Sequence, residues 1–349
     1  MIMIKKNRNI IITVIVVLIL ILLIVLSNLR SDLSRRLQGP IEGTGGVVTI
    51  DDRLSVISKN NHIYTWQWND LSVWPIVAKP SASAIMPFTN DKIVYYSDSL
   101  NKLVLTDLKA AKELGSLSAG YGAKCKKIKI SSNGRFGLVS TAFTRGTQKD
   151  WFKLALFDYD FKDLTSVFQK NTVVEDFLLY NFTVTNDGNF IAGAGQKDNA
   201  WIFVSDVNRQ EILWEKIFDE YDNFTLVEFS PNGKQLFVSE RVRHILMFDA
   251  ESGQLLKTFV MDKYQTPSNQ KQNISSIAIS PDGKTLAADT EPAGTVWFWD
   301  IASGKKTGQI RASALTVSDI AFSPDSKYLA TGCLVSPEIK IWKVPQLKP

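Results

Sequence analysis

Between Ile10 and Leu26 the chain reads IIITVIVVLILILLIVL, with Thr13 as the one polar residue. An amphipathic helix keeps a polar stripe at a 3.6-residue period, and this run has none. At 1.5 Å per residue, such a run extended to residue 29 reaches roughly 25–30 Å, the thickness of a bilayer's hydrocarbon core. The pattern predicts a membrane helix over residues 10–29, behind a basic tail at 1–9. Cleavage as a signal peptide competes with this reading, because VLS at Val25–Ser27 offers small residues. Signal cores usually hold about 7–15 apolar residues, so the longer run favours a retained signal anchor.

After residue 45 the apolar period shortens to two, the mark of strands. Short apolar runs end at SSNGR (Ser131–Arg135), TNDGN (Thr185–Asn189), SPNGK (Ser230–Lys234), SPDGK (Ser280–Lys284) and SPDSK (Ser323–Lys327). Asn-Gly and Asp-Gly between apolar alternations signal a hairpin, because the turn needs a positive φ. A third strand follows in each unit (KLALFD, AWIFVSD, ILMFD, VWFWD, IKIWK), apolar on both faces and therefore covered on both sides. Two weaker copies precede these five, with turns at Asp52 and Asp91. The turns Asp52, Asp91, Gly134, Gly188, Gly233, Gly283 and Ser326 are spaced by 39, 43, 54, 45, 50 and 43 residues. A period of about 40–50 with four strands per unit predicts a β-propeller. The fold class is all-β, a seven-bladed propeller over 46–344, with 345–349 as a tail. The last unit ends after its third strand, so its fourth must come from elsewhere. The linker at 30–45 holds the candidate ring-closing strand, around Ser34–Glu42.

In its last three units the sequence resembles the WD-repeat (WD40-like) propeller family. Phe298-Trp299-Asp300 and Ile341-Trp342-Lys343 stand where that family has its Trp-Asp dipeptide, and Ser252-Gly253 and Ser303-Gly304 match the following turn. No Gly-His pair precedes the first strands, and Gly294 stands where the family often has Asp before the third strand. The resemblance implies a rigid platform for other proteins, a scaffold and not an enzyme. The alternative is a propeller enzyme or small-ligand sensor using the central channel.

Charge narrows the partners. The chain has 40 Lys and Arg against 35 Asp and Glu, but residues 1–36 hold six basic residues and one acidic one, leaving 34 of each sign in the remainder. Binding nucleic acid requires a surplus of phosphate-neutralising charge, which the propeller lacks. Cys125 and Cys333 have no CxxC spacing, and His62 and His244 sit in different units, so no catalytic, metal or cofactor residues are predicted. The inner strands, such as SIAIS and DIAFS, read as nearly all apolar, which argues against a channel site.

The loops joining second to third strands, and those entering first strands, open on one side of the disc. They include 120–127, 141–151, 195–199, 240–244 and 262–275, and many are basic. The candidate interaction face is Arg145, Lys149, Trp151, Lys197, Arg241, Arg243 and His244, suited to an acidic protein partner, with Trp and Arg as anchors. Trp201, Trp297, Trp299 and Trp342 lie in third strands and are assigned to the core between blades. Three basic residues precede the apolar run and three follow it, a near tie under the positive-inside rule. The expectation is a short cytoplasmic tail with the propeller translocated, into the periplasm in a bacterium.

Overall fold

The computed structural model describes residues 33–37 and 44–346, apart from 59–61, 72–75, 79–83, 89–91, 98, 108–109, 111, 119–123, 146–147, 159–164, 172–176, 222, 241, 262–272, 292–293, 314–316 and 334–335. The apolar run at 10–29 therefore lies outside the described residues. Among those described, no helix is long and apolar enough to cross a membrane.

The strands form seven antiparallel four-stranded sheets. Blade 1 is Thr44–Ile50, Arg53–Ser58, Ile63–Gln67 and Ile76–Ala78; blade 2 is Ala84–Pro87, Lys92–Ser97, Lys102–Asp107 and Lys112–Ser118. Blade 3 is Lys124–Ile130, Phe136–Arg145, Gln148–Asp158 and Thr165–Asn171; blade 4 is Leu178–Val184, Phe190–Lys197, Asn199–Asp206 and Glu211–Phe218. Blade 5 is Phe224–Phe229, Gln235–Glu240, His244–Asp249 and Leu255–Val260; blade 6 is Asn273–Ile279, Thr285–Glu291, Thr295–Asp300 and Lys306–Arg311. Blade 7 is Asp319–Phe322, Tyr328–Cys333 and Ser336–Lys343, with Leu33–Leu37 as its outermost strand. First strands touch those of neighbouring blades from blade 2 round to blade 1, and Arg53–Ser58 meets Ala84–Pro87 where blades 1 and 2 join, so the first strands line the central channel.

The repeated turns explain why five units keep the same short phrase. The Ser280 hydroxyl donates to Asp282 Oδ1 at 2.6 Å, and Lys284 N donates to the same oxygen at 3.1 Å. Thr285 N returns a bond to Ser280 Oγ at 2.8 Å, and Gly283 takes φ +71°. The same network recurs on Ser131/Asn133, Thr185/Asp187, Ser230/Asn232 and Ser323/Asp325. Burial alone pushes the Asp187 and Asp325 carboxyls up, but these bonds outweigh it and hold both below the ordinary range. Positive φ falls on the residue after Asp or Asn, which is Ser326 in blade 7 at +62°. Blade 1 departs from the pattern: its positive φ is at Asp51, one residue before the position read from sequence.

Neighbouring turns are also joined to one another. Asn186 Oδ1 accepts bonds from Ser132 Oγ (2.9 Å) and Asn133 N (3.0 Å), while its amide donates to Pro231 O at 2.8 Å. One side chain thus fastens the turns of blades 3, 4 and 5.

The third strands carry the core. Trp201, Trp299 and Trp342 are each at most 5% exposed. Trp201 packs with Leu138 and Leu154 of blade 3, Trp299 with Phe237 and Phe259 of blade 5, and Trp342 with Ala287 and Phe298 of blade 6. Apolar side chains on both faces of these strands follow from this stacking. Trp342 Nε1 keeps a partner by donating to Thr331 Oγ1 at 3.0 Å.

Leu33–Leu37 pairs antiparallel with Ser336–Lys343, Leu33 opposite Trp342 and Leu37 opposite Ile339. Leu37 is 2% exposed and packs with Val47, Leu54 and Ile341, so the strand enters the core shared by blades 7 and 1. Gly39 and Pro40 fall outside the described residues.

Candidate interaction face and channel site

Backbone bonds show which loops share a face. Ala200 N donates to Tyr221 O, Met261 N to Arg243 O, Ala312 N to Gly294 O and Ser318 N to Gly332 O, each at 2.9–3.0 Å. Loops joining second to third strands therefore lie beside those entering the next blade. On the opposite face, Ala250 N bonds Lys234 O, Ile301 N bonds Lys284 O and Val344 N bonds Lys327 O, each at 2.8–2.9 Å. That face carries the repeated Ser-Pro-Asp-Gly turns.

Six of the seven residues singled out from sequence have described backbones, and all six lie toward the first face. Arg145 ends the second strand of blade 3, and Lys149 and Trp151 start its third, with Arg145 opposite Gln148 and Phe143 opposite Trp151. Lys197 flanks the hairpin tip of blade 4, where Asp198 has φ +61°. Arg243 and His244 lie together in blade 5, and Arg241 falls outside the described residues. Glu240 Oε1 accepts bonds from the backbone N of Arg243 (3.0 Å) and of His244 (3.1 Å) and lies 2.5 Å from His244 Nδ1. Arg243 Nε donates to Met261 O at 3.3 Å. The Glu240 and Arg243 side chains thus hold this loop in shape, while Lys197 stands one blade away.

The channel corrects the sequence reading. Lys127, counted there with a basic loop, belongs to the inner strand Lys124–Ile130, and a bulge between Cys125 and Lys127 sets its side-chain phase. Inner strands are not uniformly apolar: the residues two and four before each repeated turn are Lys129 and Lys127, Thr183 and Asn181, Glu228 and Leu226, Ala278 and Ser276, and Ala321 and Asp319. Alternate residues of a strand share a face, and here that face looks into the channel. Lys129 of blade 3 pairs with Glu228 Oε1 of blade 5 across blade 4, whose Thr183 hydroxyl donates to Glu228 Oε2 at 3.1 Å. Lys127 Nζ donates to Asn181 Oδ1 at 3.1 Å. On the far wall, Asp319 accepts bonds from Ser276 Oγ (2.7 Å), Ile320 N (2.9 Å) and Val47 N (3.1 Å), joining blades 6, 7 and 1.

These charges perturb one another. Burial, then the Lys129 charge, pulls the Lys127 ammonium down to about 8, against the opposing pull of Glu228 and Asp319. Burial also works against a charged Lys129, but Glu228 overcomes it and holds that ammonium above its ordinary value. Burial pushes the Asp319 carboxyl up, against its bonds from Ser276 and Val47 and the charge of Lys129. Lys127 is thus the channel amine that loses its proton first. Lys127 is expected to half-titrate near pH 8, against about 10.4 for an unperturbed lysine. Acetylation rates mapped by mass spectrometry from pH 6 to pH 10 check this, and a midpoint at the ordinary value would contradict it. Among the described residues, no three His, Cys, Asp or Glu side chains gather to hold a metal ion.

Residues 304–343 match the family described as WD domain, G-beta repeat. The match begins at the last turn of blade 6 and runs through the third strand of blade 7, so a sequence repeat and a blade are offset by one strand. The β-propeller domain of Cps50 (Swd1) from Myceliophteria thermophila is similar in structure, with a TM-score of 0.65 and 15% identity over 90% of this chain and 99% of that one. At that identity the likeness is one of fold. No curated protein matches the chain.

Proposed function

We propose that this chain is a propeller scaffold, held at a membrane through residues 10–29, that docks an acidic protein on the face of its second-to-third-strand loops. The observation that carries the reading is the gathering of Arg145, Lys149, Trp151, Lys197, Arg243 and His244 from three consecutive blades on one face. A rigid ring is suited to this role, because loops fixed to seven interlocked sheets lose little further freedom on binding. With a short basic tail in the cytoplasm, the propeller stands on the other side of the membrane, in the periplasm of a bacterium.

The test is photo-crosslinking in cells, with the reactive residue at Arg145 or Lys197, or at Asp282 or Lys327 on the opposite face. Adducts of defined mass should form from the first pair and weaken at least about tenfold on combined Arg145→Glu, Lys149→Glu and Lys197→Glu replacement, since like charges at an interface cost several kcal/mol. Adducts from the opposite face alone would refute it.

Lys127 favours a second reading, a small ligand in the channel. Its ammonium has donor capacity beyond Asn181, and burial already favours its neutral form. Protection of Lys127 from acetylation by a small carboxylate, with other lysines unaffected, would support this reading.

A further inference from the structure

The direction of one strand decides which side of the disc meets a bilayer. Leu33 lies opposite Trp342, beside Lys343 and Val344, and Val344 N is bonded to Lys327 O in the Ser-Pro-Asp-Ser turn of blade 7. Leu37 lies opposite Ile339, toward the end where Cys333 faces Ser336 across the second-to-third-strand hairpin. The chain therefore enters the propeller at the face of the repeated turns and runs toward the face of the basic loops. Only residues 30–32 separate the predicted membrane helix at 10–29 from Leu33. At about 3.5 Å per residue, they reach no more than about 14 Å from the end of that helix.

We propose that the rim of blades 6 and 7 on the repeated-turn face is a lipid-facing surface, and that the basic-loop face points away from the bilayer. This rests on the reading of residues 10–29 as a membrane span. A tether this short sets the Leu33 end close to the headgroups, while the first-to-last residue length of a blade strand, about 3.3 Å per residue, puts the opposite face about 20 Å farther out. The rim suits the position. Lys284, Lys305, Lys327 and Lys343 are all exposed there, the Lys327 side chain at 74%. The acidic residues among them are engaged within their own turns: Asp282 Oδ1 accepts from Ser280 Oγ and Lys284 N, and Asp325 Oδ1 from Ser323 Oγ and Lys327 N. Asp325 Oδ2 also stands 3.4 Å from Lys327 Nζ, so Lys284, Lys305 and Lys343 are the freer cations toward anionic headgroups. Arg36, near the other end of the entering strand, is paired with Glu338 at 3.5 Å.

The test uses the full chain with Cys125→Ser and Cys333→Ser, reconstituted into vesicles of phosphatidylcholine with a minor share of phosphatidylglycerol. A fluorophore is placed at Lys327→Cys or at Arg311→Cys, two exposed positions on adjoining blades but opposite faces. Spin-labelled headgroup lipid should quench the Lys327→Cys label several-fold more than the Arg311→Cys label. Equal or reversed quenching, in a chain that floats with the vesicles, would overturn the orientation and leave the anchor standing. Failure to float would overturn the anchor and the orientation with it.

Discussion

Deleting residues 33–37 lowers the melting temperature of the propeller by about 5–8 °C. Burial of Leu37 contributes about 2–3 kcal/mol, and the ladder to Ser336–Lys343 adds a net kcal/mol or two once the entropy of ordering five residues is subtracted. The Arg36–Glu338 pair is too exposed to matter much. A loss of about 3–5 kcal/mol, in a domain whose unfolding entropy at about 2.1 cal/mol/K per residue totals near 0.6 kcal/mol/K, gives that shift. Blade 7 is left with three strands and the Val47–Leu54–Ile341 core without its lid. A scan of the deleted chain beside the intact one checks the prediction, and melts that coincide within about a degree would refute it.

Glu228→Gln should cost about 2–4 kcal/mol. Removing one partner of a buried pair strands the other charge, which typically costs about 3–5 kcal/mol. The side chains of Lys129 and Glu228 are each 23% exposed, which lowers the figure slightly. The paired replacement Lys129→Met with Glu228→Met should fall within about 1 kcal/mol of the intact protein, because no charge is left unpartnered. Urea unfolding of Glu228→Gln, of Lys129→Met and Glu228→Met singly, and of the double variant gives both the cost and the coupling. If the single replacement costs under about 1 kcal/mol, the pair does not bind blades 3 and 5 together.

The fold was legible because its signals are local and repeated. Each Ser-x-Asp/Asn-Gly phrase folds its own turn through bonds spanning five residues, and each third strand is apolar on both sides because blades cover both sides. The channel was not legible for the opposite reason. Lys129 and Glu228 occupy the same position in different repeats, 99 residues apart, and become partners only when blade 4 curves between them. Reading SIAIS and DIAFS as typical of all inner strands missed KCKKIKI, where alternate lysines mark a wet face. The signal that would have found the site is a comparison, across repeats, of the residues two and four before the turn. On the proposed docking face, sequence named candidate residues but not the bonds they make: nothing local shows that Glu240 accepts from the backbone of Arg243 and His244.

Pairing Leu33 with Trp342 also sets the order in which the molecule can be completed. The strand leaves the ribosome before any of the seven blades exists, and its partner only after the other six blades have been made. Bringing together ends about 300 residues apart carries a closure entropy near 5 kcal/mol in an unstructured chain. Blades 1 to 6, each built from neighbouring hairpins, can form during synthesis and shorten that search. Until Leu33–Leu37 docks on Ser336–Lys343, blade 7 offers an unpaired edge, the form most open to pairing with another chain. A nascent ring is therefore most vulnerable to misassembly in its final step.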